Sequence, residues 1–584
     1  MSIINLKTVT PFSHTRLKIY SENEPFIKEM EYMKKYLSLI SALCFIGGCS
    51  YGQEGVSSLP LNTKAESSGL TNYDILEETD TFTNRCEISL GDDININGEG
   101  AWIDNNCITI SESGVYTISG QLSDGMIYVE CTDKVKIILD GVNITKENGS
   151  AVISNSERLI LKSQDGKENT LASNGGSDAA VYSVGELVLV GNGVLSVSGE
   201  GDGIKSDSGI ELTECKITVA AGNDGIEAEK KLTASNAAVA IDTTGDIIAD
   251  EELSSKGIKA GEMELDGCSV TINSTDHAVK ADGAILINGG AYTIASSAGK
   301  GISADGVLTL DGADILISDS EEGLESKTTL TIESGNINIT STDDGINTGG
   351  DDEAVDHSMI INGGTVIVNA EGDGLDSNGD IRVTGGTVVV FGPVADGNAP
   401  LDYGDNGNSM TVTGGKVLAV GSAGMMVAPK DNYIASRNLN AQENDKITVA
   451  DNDGNIIISA VLPKSAQGVI FSDGTSAEGY KLYKNGNVSG DADENGIITD
   501  GTIAGGTAVE AGALQGFGGM GHGGFGGGMR PDGQPPAGEP PAMPENGEMG
   551  TPPAIPDGGM PPENTGGEPP VMPEGEAPAE TQTP

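Results

Sequence analysis

The sequence DDGIN at residues 343–347, followed by INGGTVIV at 361–368, recurs one unit later as GDGLD at 372–376, followed by VTGGTVVV at 383–390. In each unit a glycine precedes a single Ile or Leu, and a Gly-Gly pair separates two short runs of alternating apolar residues. Such period-2 alternation predicts β-strands, and the glycine pairs predict turns between them. The unit is therefore predicted to consist of short strands and turns, without a helix.

The Gly-Ile/Leu marker recurs through the middle of the chain at intervals of about 22 residues, which predicts a solenoid. About 22 residues of extended chain close a coil of roughly 70 Å perimeter, and stacked coils pair equivalent strands in parallel sheets. We therefore predict an all-β fold, a right-handed parallel β-helix of about 22 residues per coil over residues 83–425. The marker and its variants occur at Gly203-Ile204, Gly225-Ile226, Gly257-Ile258, Ala278-Val279, Gly301-Ile302, Gly323-Leu324, Gly345-Ile346, Gly374-Leu375 and Pro400-Leu401.

Three further regions flank the predicted β-helix. Residues 426–512 have strand and turn sequences without the coil markers, and we predict a small β cap that covers the edge of the last coil. Residues 50–82 are rich in Ser, Gly, Thr and Glu, which is typical of a flexible tether. Residues 513–584 are rich in Gly, Pro, Met and Glu, and this composition predicts a disordered tail because it buries too little apolar area to offset chain entropy.

The N-terminal region contains a processing signal at residues 33–49. A basic start is followed by an apolar stretch and then by Ile46-Gly47-Gly48-Cys49, which resembles a bacterial lipobox. The apolar stretch is too short to span a bilayer. We predict a lipoprotein signal peptide with lipidated Cys49, export to the cell envelope or outer surface, and membrane contact only through the lipid. Residues 1–32 are interpreted as an upstream mis-extension of the reading frame.

The composition limits the partners of this chain. A formal net charge of −55, from 87 acidic and 32 basic residues, disfavours nucleic acid and anionic membrane surfaces, so that an acidic ligand needs bridging cations. The chain is predicted to be a monomer. The scattered cysteines are interpreted as buried thiols, with one disulfide among them left open. These are Cys86, Cys107, Cys131, Cys215 and Cys268.

A column of outward-facing residues follows the buried Ile or Leu of successive coils. Its first half alternates in charge, and at about 4.8 Å between coils it predicts a ladder of weak ion pairs, to which we assign no function. Its second half, from Glu325 onward, offers only carboxylate and amide ligands. The column consists of Lys205, Glu227, Lys259, Lys280, Ser303, Glu325, Asn347, Asp376 and Asp402.

A second acidic set lies two residues before the same aliphatic position, at Glu322, Asp344 and Asp373. Stacked carboxylates without counterions repel each other, whereas Ca²⁺ takes roughly 6 to 8 oxygen ligands. We therefore predict a bound calcium ion in this region. The alternative is a solvated acidic face, which is common in so acidic a chain.

The repeat also resembles a known family. The stretch 343–347, the run Gly-Asp-Gly-Leu-Asp-Ser-Asn-Gly at 372–379 and Leu401-Asp402-Tyr403 look like the signature of bacterial carbohydrate-binding domain-containing proteins, over about residues 83–490. The resemblance implies a cell-surface β-helix with a fold similar to pectate lyases, which binds cellulose and acidic sugars and carries calcium. It also implies the calcium ligands Asp344, Asn347, Asp373, Asp376 and Asp402. The insert Asp351-Asp352-Glu353 is a further source of ligands.

These observations favour a carbohydrate-binding surface lipoprotein that takes acidic polysaccharide such as polygalacturonate, or cellulose, with the help of calcium. The sugar is expected near Asp373, Asp376, Arg382 and Tyr403. The second interpretation is a calcium-dependent polysaccharide lyase, in which Arg382 is the leading candidate base and Lys280 a distant second. A structural stalk or adhesin is the third. Few aromatic residues are available for stacking on neutral sugars, which favours charged ones. The only tyrosines expected in or beside the coils are Tyr182, Tyr292 and Tyr403.

Overall fold

The computed structural model describes residues 82–514, except 176–177, 246–254, 351, 353, 405–406 and 476–477. The predictions for the first 32 residues, for the signal peptide with Cys49, for the tether up to residue 81 and for the tail from residue 515 lie outside the described residues. All regular elements in the described part of the chain are β-strands. This part contains no helix that is long and apolar enough to cross a membrane.

The strands form the predicted parallel β-helix. Equivalent strands of successive coils pair in parallel, with Ile204 registered on Ile226 and Ile226 on Ile258. The first of its three sheets begins with an antiparallel pair, β3 and β4, and continues in parallel to β33. Its strands are β3 (Ala101–Asp104), β4 (Cys107–Ile110), β6 (Met126–Val129), β8 (Val152–Ser154), β11 (Ala179–Ser183), β14 (Asp202–Ser206), β17 (Ile226–Ser235), β19 (Ile258–Asp266), β21 (Val279–Ala281), β24 (Ile302–Ala304), β27 (Leu324–Ser326), β30 (Ile346–Thr348) and β33 (Leu375–Ser377).

The second sheet includes the far halves of the long strands β17 and β19, which bend from the first sheet into the second. It also contains β1 (Arg85–Ser89), β2 (Asn95–Asn97), β5 (Gly114–Ser123), β7 (Val135–Lys146), β9 (Arg158–Ser163), β12 (Glu186–Val190), β15 (Ile210–Thr213), β22 (Ile285–Asn288), β25 (Leu308–Asp311), β28 (Leu330–Ile332), β31 (Met359–Ile361), β34 (Ile381–Val383) and β36 (Met410–Val412).

The third sheet shares β5 and β7 with the second. Its other strands are β10 (Glu168–Ser173), β13 (Val194–Gly199), β16 (Lys216–Ala221), β18 (Ala238–Thr243), β20 (Ser269–Ser274), β23 (Ala291–Ser296), β26 (Ala313–Asp319), β29 (Gly335–Ser341), β32 (Thr365–Ala370), β35 (Thr387–Phe391) and β37 (Lys416–Gly421).

The core is the interior of the coils, filled by stacked aliphatic side chains such as Ile226, Ile258 and Ile346, which are fully buried. The glycine before each of these residues has a steric cause: a Cβ at Gly345 would collide with the side chain of Val368 and with a backbone carbonyl of the next coil. The repeated Gly-Ile/Leu pair is therefore explained by close packing between the first and third sheets. The five described cysteines are free, and four of them are buried.

The residues after the last coil form antiparallel strands. Strand β41 (Gly468–Ser472) pairs antiparallel with β37 and with β38 (Tyr433–Ser436), so the edge of the third sheet is covered. A second apolar cluster joins outward residues of the β-helix, such as Val389 and Leu418, to the cap strands. The remaining strands are β39 (Lys446–Ala450), β40 (Ile456–Val461), β42 (Lys481–Lys484), β43 (Asn487–Ser489), β44 (Thr502–Ala504) and β45 (Thr507–Val509).

Candidate carbohydrate-binding face

One column of outward side chains runs along the whole first sheet, and we call it the outward column. The register predicted from Lys205 to Asp376 is present, and the bridge between Leu375 and Leu401 brings Asp402 into line. The column also extends further towards the N-terminus than expected. In order it comprises Trp102, Thr109, Tyr128, Ile153, Tyr182, Lys205, Glu227, Lys259, Lys280, Ser303, Glu325, Asn347, Asp376 and Asp402.

A second column, which we call the adjacent column, lies two residues earlier on each coil. From Asp224 onward, backbone hydrogen bonds join each of its carbonyl groups to the amide of the glycine or alanine one coil before it. Five residues, four of them charged and the fifth His277, precede the acidic set that the sequence indicated. In order the adjacent column comprises Asp202, Asp224, Lys256, His277, Lys300, Glu322, Asp344 and Asp373.

Ion pairs connect the two columns between residues 202 and 259. The carboxylate of Glu227 lies 2.5 Å from the Lys205 ammonium and 2.9 Å from that of Lys259. Burial opposes ionisation of Glu227, but hydrogen bonds from the two lysines outweigh it and lower its pKa. The predicted ladder of ion pairs is therefore present here, and it is more buried than a surface ladder.

This same place contains a group of three acids. The carboxylates of Asp202, Asp224 and Glu227 approach within 4.8 Å of one another, which no other set of three acidic, His or Cys side chains does in the described residues. Burial raises the pKa of Asp202 to about 7, and the charge of Asp224 adds to the rise. Because Lys205 and Lys259 already lie against these carboxylates, two of the three negative charges are compensated from within the chain.

The expectation that Glu322 and Glu325 lack counterions is wrong. Lys300 forms ion pairs with both, at 3.2 Å to Glu322 and at a shorter distance to Glu325. Ser303 Oγ also donates a hydrogen bond of 2.6 Å to Glu325. We call the region from Asp202 to Glu325, including these lysines, the ion-paired segment.

Beyond Lys300 neither column contains a basic residue, and the side chains here are the predicted calcium ligands. Asp344 Oδ1 accepts a hydrogen bond of 2.7 Å from the amide of Asp373, and Asp373 Oδ1 accepts one from the amide of Ala399. The side-chain nitrogen Nδ2 of Asn347 donates a hydrogen bond of 3.3 Å to the carboxylate of Glu322. The side-chain oxygen of Asn347 therefore points away from that carboxylate. We call this region, on three neighbouring coils, the acidic patch. It comprises Asp344, Asn347, Asp373, Asp376 and Asp402.

The acidic patch holds carboxylates that resist ionisation. Burial raises the pKa of Asp376 to about 8, and the negative charges of Asp344, Asp373 and Asp402 contribute to the rise. Burial likewise raises the pKa of Asp344 to about 7 and that of Asp373 to about 6. A bound cation would reverse these shifts, because it favours the charged form of each group.

The donor set of the acidic patch suits calcium. It consists of carboxylate and amide oxygens, which are the ligands that this hard cation prefers. The described carboxylates of the patch do not meet in threes as closely as those of Asp202, Asp224 and Glu227 do. Calcium at this position would therefore draw these side chains together or take further oxygens from water or from a ligand. Of the insert, Asp351 and Glu353 lie outside the described residues, and Asp352 is exposed.

The candidate lyase residues lie elsewhere or are already engaged. Arg382 is on β34 in the second sheet, where its guanidinium binds Asp380 at 2.7 Å. Lys280 binds Asp305 at 2.5 Å. Tyr403 is half-buried, and its hydroxyl donates to the carbonyl of Ala428 at 3.2 Å. Of these residues, Tyr403 directly follows the acidic patch in sequence.

Aromatic residues are arranged differently from the sequence expectation. Tyr292 is inside the coils, with 1% of its surface exposed. Tyr182 does face outward, and Tyr128 and Trp102 join it in the outward column. Neither was selected from the sequence, because the early coils lack the regular markers and because Trp102 is on an antiparallel hairpin. Alternate residues of a strand face opposite sides, so Tyr128, between the apolar Ile127 and Val129, is expected to face outward.

Comparisons with known proteins give relatives of this chain. A protein of Acetivibrio thermocellus described as a carbohydrate-binding domain-containing protein is 30% identical over 139 residues, which are 21% of this chain. The match spans about half, 49%, of the length of that relative. A solved structure described as the polysaccharide lyase-like protein from C. thermocellum, gadolinium derivative, aligns with 24% identity and a TM-score of 0.33. That alignment covers 42% of this chain and 96% of the other, and a likeness at this level identifies neither a site nor a ligand.

A family model covers far more of the chain than these pairwise matches. The model of the carbohydrate-binding domain-containing protein matches residues 104–252, 247–300 and 293–513. These ranges include the outward column from Thr109 to Asp402, and they extend through the cap strands. With well over half of its length matched, the chain belongs to the carbohydrate-binding domain-containing protein family.

Proposed function

We propose that the chain binds acidic polysaccharide, such as polygalacturonate, through calcium held at the acidic patch. Membership of the family supports carbohydrate binding in general. The observation that carries the finer proposal is the stacking of four carboxylates and one side-chain amide on three neighbouring coils, with no basic residue in either column beyond Lys300. Such a set of oxygen donors is suited to a hard divalent cation.

Calcium also resolves the problem of net charge. A chain of charge −55 repels a uronate chain. A divalent ion between carboxylates of protein and sugar acts over a few ångströms, well below the Debye length of about 8 Å at physiological salt. The attraction is therefore local and outweighs the general repulsion only at the patch. Tyr403, which directly follows the patch in sequence, and Arg382, which lies on the second sheet of the same coil as Asp376, are the groups proposed to contact the sugar.

The test removes charge from the patch without changing side-chain size. The double variant Asp373→Asn/Asp376→Asn should lose calcium-dependent binding of polygalacturonate, by about a hundredfold or more, because two ligands of a hard cation are weakened at once. Isothermal titration with polygalacturonate, with calcium and with chelator, measures the effect. Circular dichroism checks that the variant retains its β-structure.

A matched control removes two negative charges at another place in the molecule. Asp242 and Asp314 are exposed acids on outward positions of the third sheet, each accepting a hydrogen bond from an Asn of the next coil. Asp242→Asn/Asp314→Asn should bind polygalacturonate as the wild type does. Equal loss in both double variants would reduce the effect to net charge, and unchanged calcium-dependent binding in the patch variant would place the site elsewhere.

We further propose that the chain acts as a monomer on the cell surface, attached through a lipid on Cys49. The lipobox-like sequence before Cys49 supports this anchor. Cys49→Ala should release the protein from membranes into the soluble fraction. Retention of the alanine variant on membranes, with residues 33–48 still removed, would contradict the proposal.

A further inference from the structure

The outer face of the second sheet carries an apolar cluster near the N-terminal end of the β-helix. Leu187 and Leu189 of β12 belong to the interior of the coils, so Val188 and Val190 face outwards. Ile160 of β9 is registered on Val188, and these three outward side chains form a cluster separate from the core. We call this surface, with its outward neighbours, the second-sheet patch. It comprises Val115, Lys136, Ile160, Val188, Val190 and Thr213.

The second-sheet patch is more buried than other outward apolar positions. Val188 retains 1% of its surface exposed, and Val190 retains 3%. By contrast, Leu286 and Leu316, which face outwards on the second and third sheets, are only half-buried. Stacking within a sheet therefore does not account for the burial of the patch. Of the described residues, Phe82 is a partly buried apolar side chain that packs against the cluster.

Phe82 is also where the described chain begins. Strand β1 starts three residues later, at Arg85, and β5 and β7 lie between β1 and β9 in the second sheet. At about 4.8 Å per strand, β1 and β9 are about 14 Å apart. The chain therefore crosses the outer face of the sheet from the patch to β1. Since twelve extended residues span up to about 40 Å, residues 70–81 can reach every strand of the patch.

The sequence of residues 70–81 suits such a surface. This part of the predicted tether concentrates large apolar side chains, and it contains four acidic residues and no basic one. Its apolar residues are Leu70, Tyr73, Ile75 and Leu76, and its acidic residues are Asp74, Glu77, Glu78 and Asp80.

Basic side chains surround the apolar cluster. Lys136 is on β7, and Arg158 and Lys162 face outwards on β9. Arg158 forms ion pairs with Glu186 at 3.3 Å and with Glu211 at 3.2 Å, and its Nε atom is buried without a hydrogen bond among the described residues. Burial lowers the pKa of Lys162, so its ammonium group is partly removed from water. A segment with four carboxylates and no basic residue is complementary in sign to this group of cations.

We propose that residues 70–81 of this chain dock on the second-sheet patch, with their apolar side chains against its apolar cluster and their carboxylates beside its basic residues. The flexible part of the tether is then residues 50–69, whose root-mean-square reach is about 25 Å. The chain enters the folded body over the second sheet, which leaves the outward column of the first sheet uncovered. This inference goes beyond the proposed function and does not depend on it.

Hydrogen exchange of the full chain, followed by mass spectrometry, tests the docking. Amides of residues 72–80 should exchange at least about tenfold more slowly than those of residues 52–66, because docked backbone opens less often than a flexible tether. The double variant Ile75→Ser/Leu76→Ser should bring residues 72–80 to the rate of residues 52–66. The coils should keep their own protection, since both substitutions precede the described residues.

The matched control is Leu59→Ser/Leu61→Ser, which makes the same apolar-to-polar change earlier in the tether and should leave residues 72–80 protected. From the other side of the contact, Val188→Ser should also speed exchange of residues 72–80, with the protection of the coils as the check of folding. Glu77→Gln/Glu78→Gln should speed it by a smaller factor, about threefold, because ion pairs at a surface contribute little.

Three results would overturn the proposal. The first is exchange of residues 72–80 in the wild type as fast as that of residues 52–66. The second is unchanged protection of residues 72–80 in Ile75→Ser/Leu76→Ser or in folded Val188→Ser. The third is a wild-type dimer in sedimentation that becomes a monomer in Val188→Ser, since the patch would then be covered by a second copy of this chain.

Discussion

The ion-paired segment and the acidic patch occupy the same two columns of one sheet, but only the ion-paired segment contains lysines. In the ion-paired segment, lysines alternate with acids, as where Glu227 lies between Lys205 and Lys259. In the acidic patch the corresponding positions are Asp or Asn, and the pKa of Asp376 rises to about 8 because burial and neighbouring carboxylates disfavour its charge.

The difference shows what the β-helix itself dictates and what it leaves to the side chains. Parallel stacking puts equivalent residues about 4.8 Å apart on successive coils, so each outward charge meets its neighbours whatever their sign. A segment with lysines among its acids compensates most of its charge from within, although burial still raises the pKa of Asp202 to about 7. A segment of one sign has to recruit protons or a cation, and this makes it responsive to the solution.

Removing the lysine that Glu322 and Glu325 share should make the ion-paired segment resemble the acidic patch. Lys300→Met keeps the length of the side chain but leaves Glu322 and Glu325 without their shared cation. Both carboxylates are mostly buried, and removal of one partner from a buried ion pair costs about 3 kcal/mol. We expect a loss of stability of this size at neutral pH, measured by urea denaturation.

The same variant should acquire a new dependence on calcium, because its ion-paired segment now resembles the acidic patch. Calcium in excess should restore part of the lost stability, beyond the gain seen in the wild type. A matched control is Lys231→Met, which breaks an exposed pair with Glu264 at 2.8 Å and should cost under about 1 kcal/mol. Equal losses in the two variants would mean that the buried pair is no more important than a surface one.

Much of this arrangement was predictable from sequence because its signals are local and periodic. The period-2 runs and the glycine markers predict the coils, and the repeat length gives the register that aligns Lys205 with Glu227 and Asn347 with Asp376. Once the register is known, the outward side chains are those at alternate positions of each strand. The fold class and the order of the outward column therefore agree with the structure.

The predictions that were wrong or missing concern residues outside that local pattern. Lys300 belongs to the adjacent column, one coil before Glu322, and following that column one step earlier in sequence would have found it. Trp102 was beyond such reasoning, since its antiparallel hairpin has no repeat to set its register against Thr109. Ligand distances in the acidic patch also depend on rotamers, which a repeat does not specify.

The acidic patch should also make the stability of the protein depend on pH. Burial raises the folded-state pKa of Asp376 to about 8 and that of Asp344 to about 7, whereas the pKa of an aspartate in an unfolded chain is about 3.9. A group whose pKa is raised on folding contributes stability that is fully present below its unfolded pKa and is lost as pH rises through the folded pKa. Without calcium, the acidic patch should therefore lower stability progressively between about pH 4 and pH 8.

Calcium should reverse this loss, and the reversal should itself depend on pH because protons and calcium compete for the same oxygens. At about pH 8, excess calcium should raise the melting temperature by several degrees, since an ion at a hundred times its Kd adds about 2.7 kcal/mol. At about pH 5 the gain should nearly vanish. Asp376→Asn removes the group of the patch whose folded-state pKa is highest. Without calcium, this variant should therefore lose less stability than the wild type as pH rises. The control Asp242→Asn should behave as the wild type does. A calcium gain of equal size at both pH values would contradict the model, because the ion would then bind carboxylates that are already fully ionised at pH 5 and the acidic patch would not be its site.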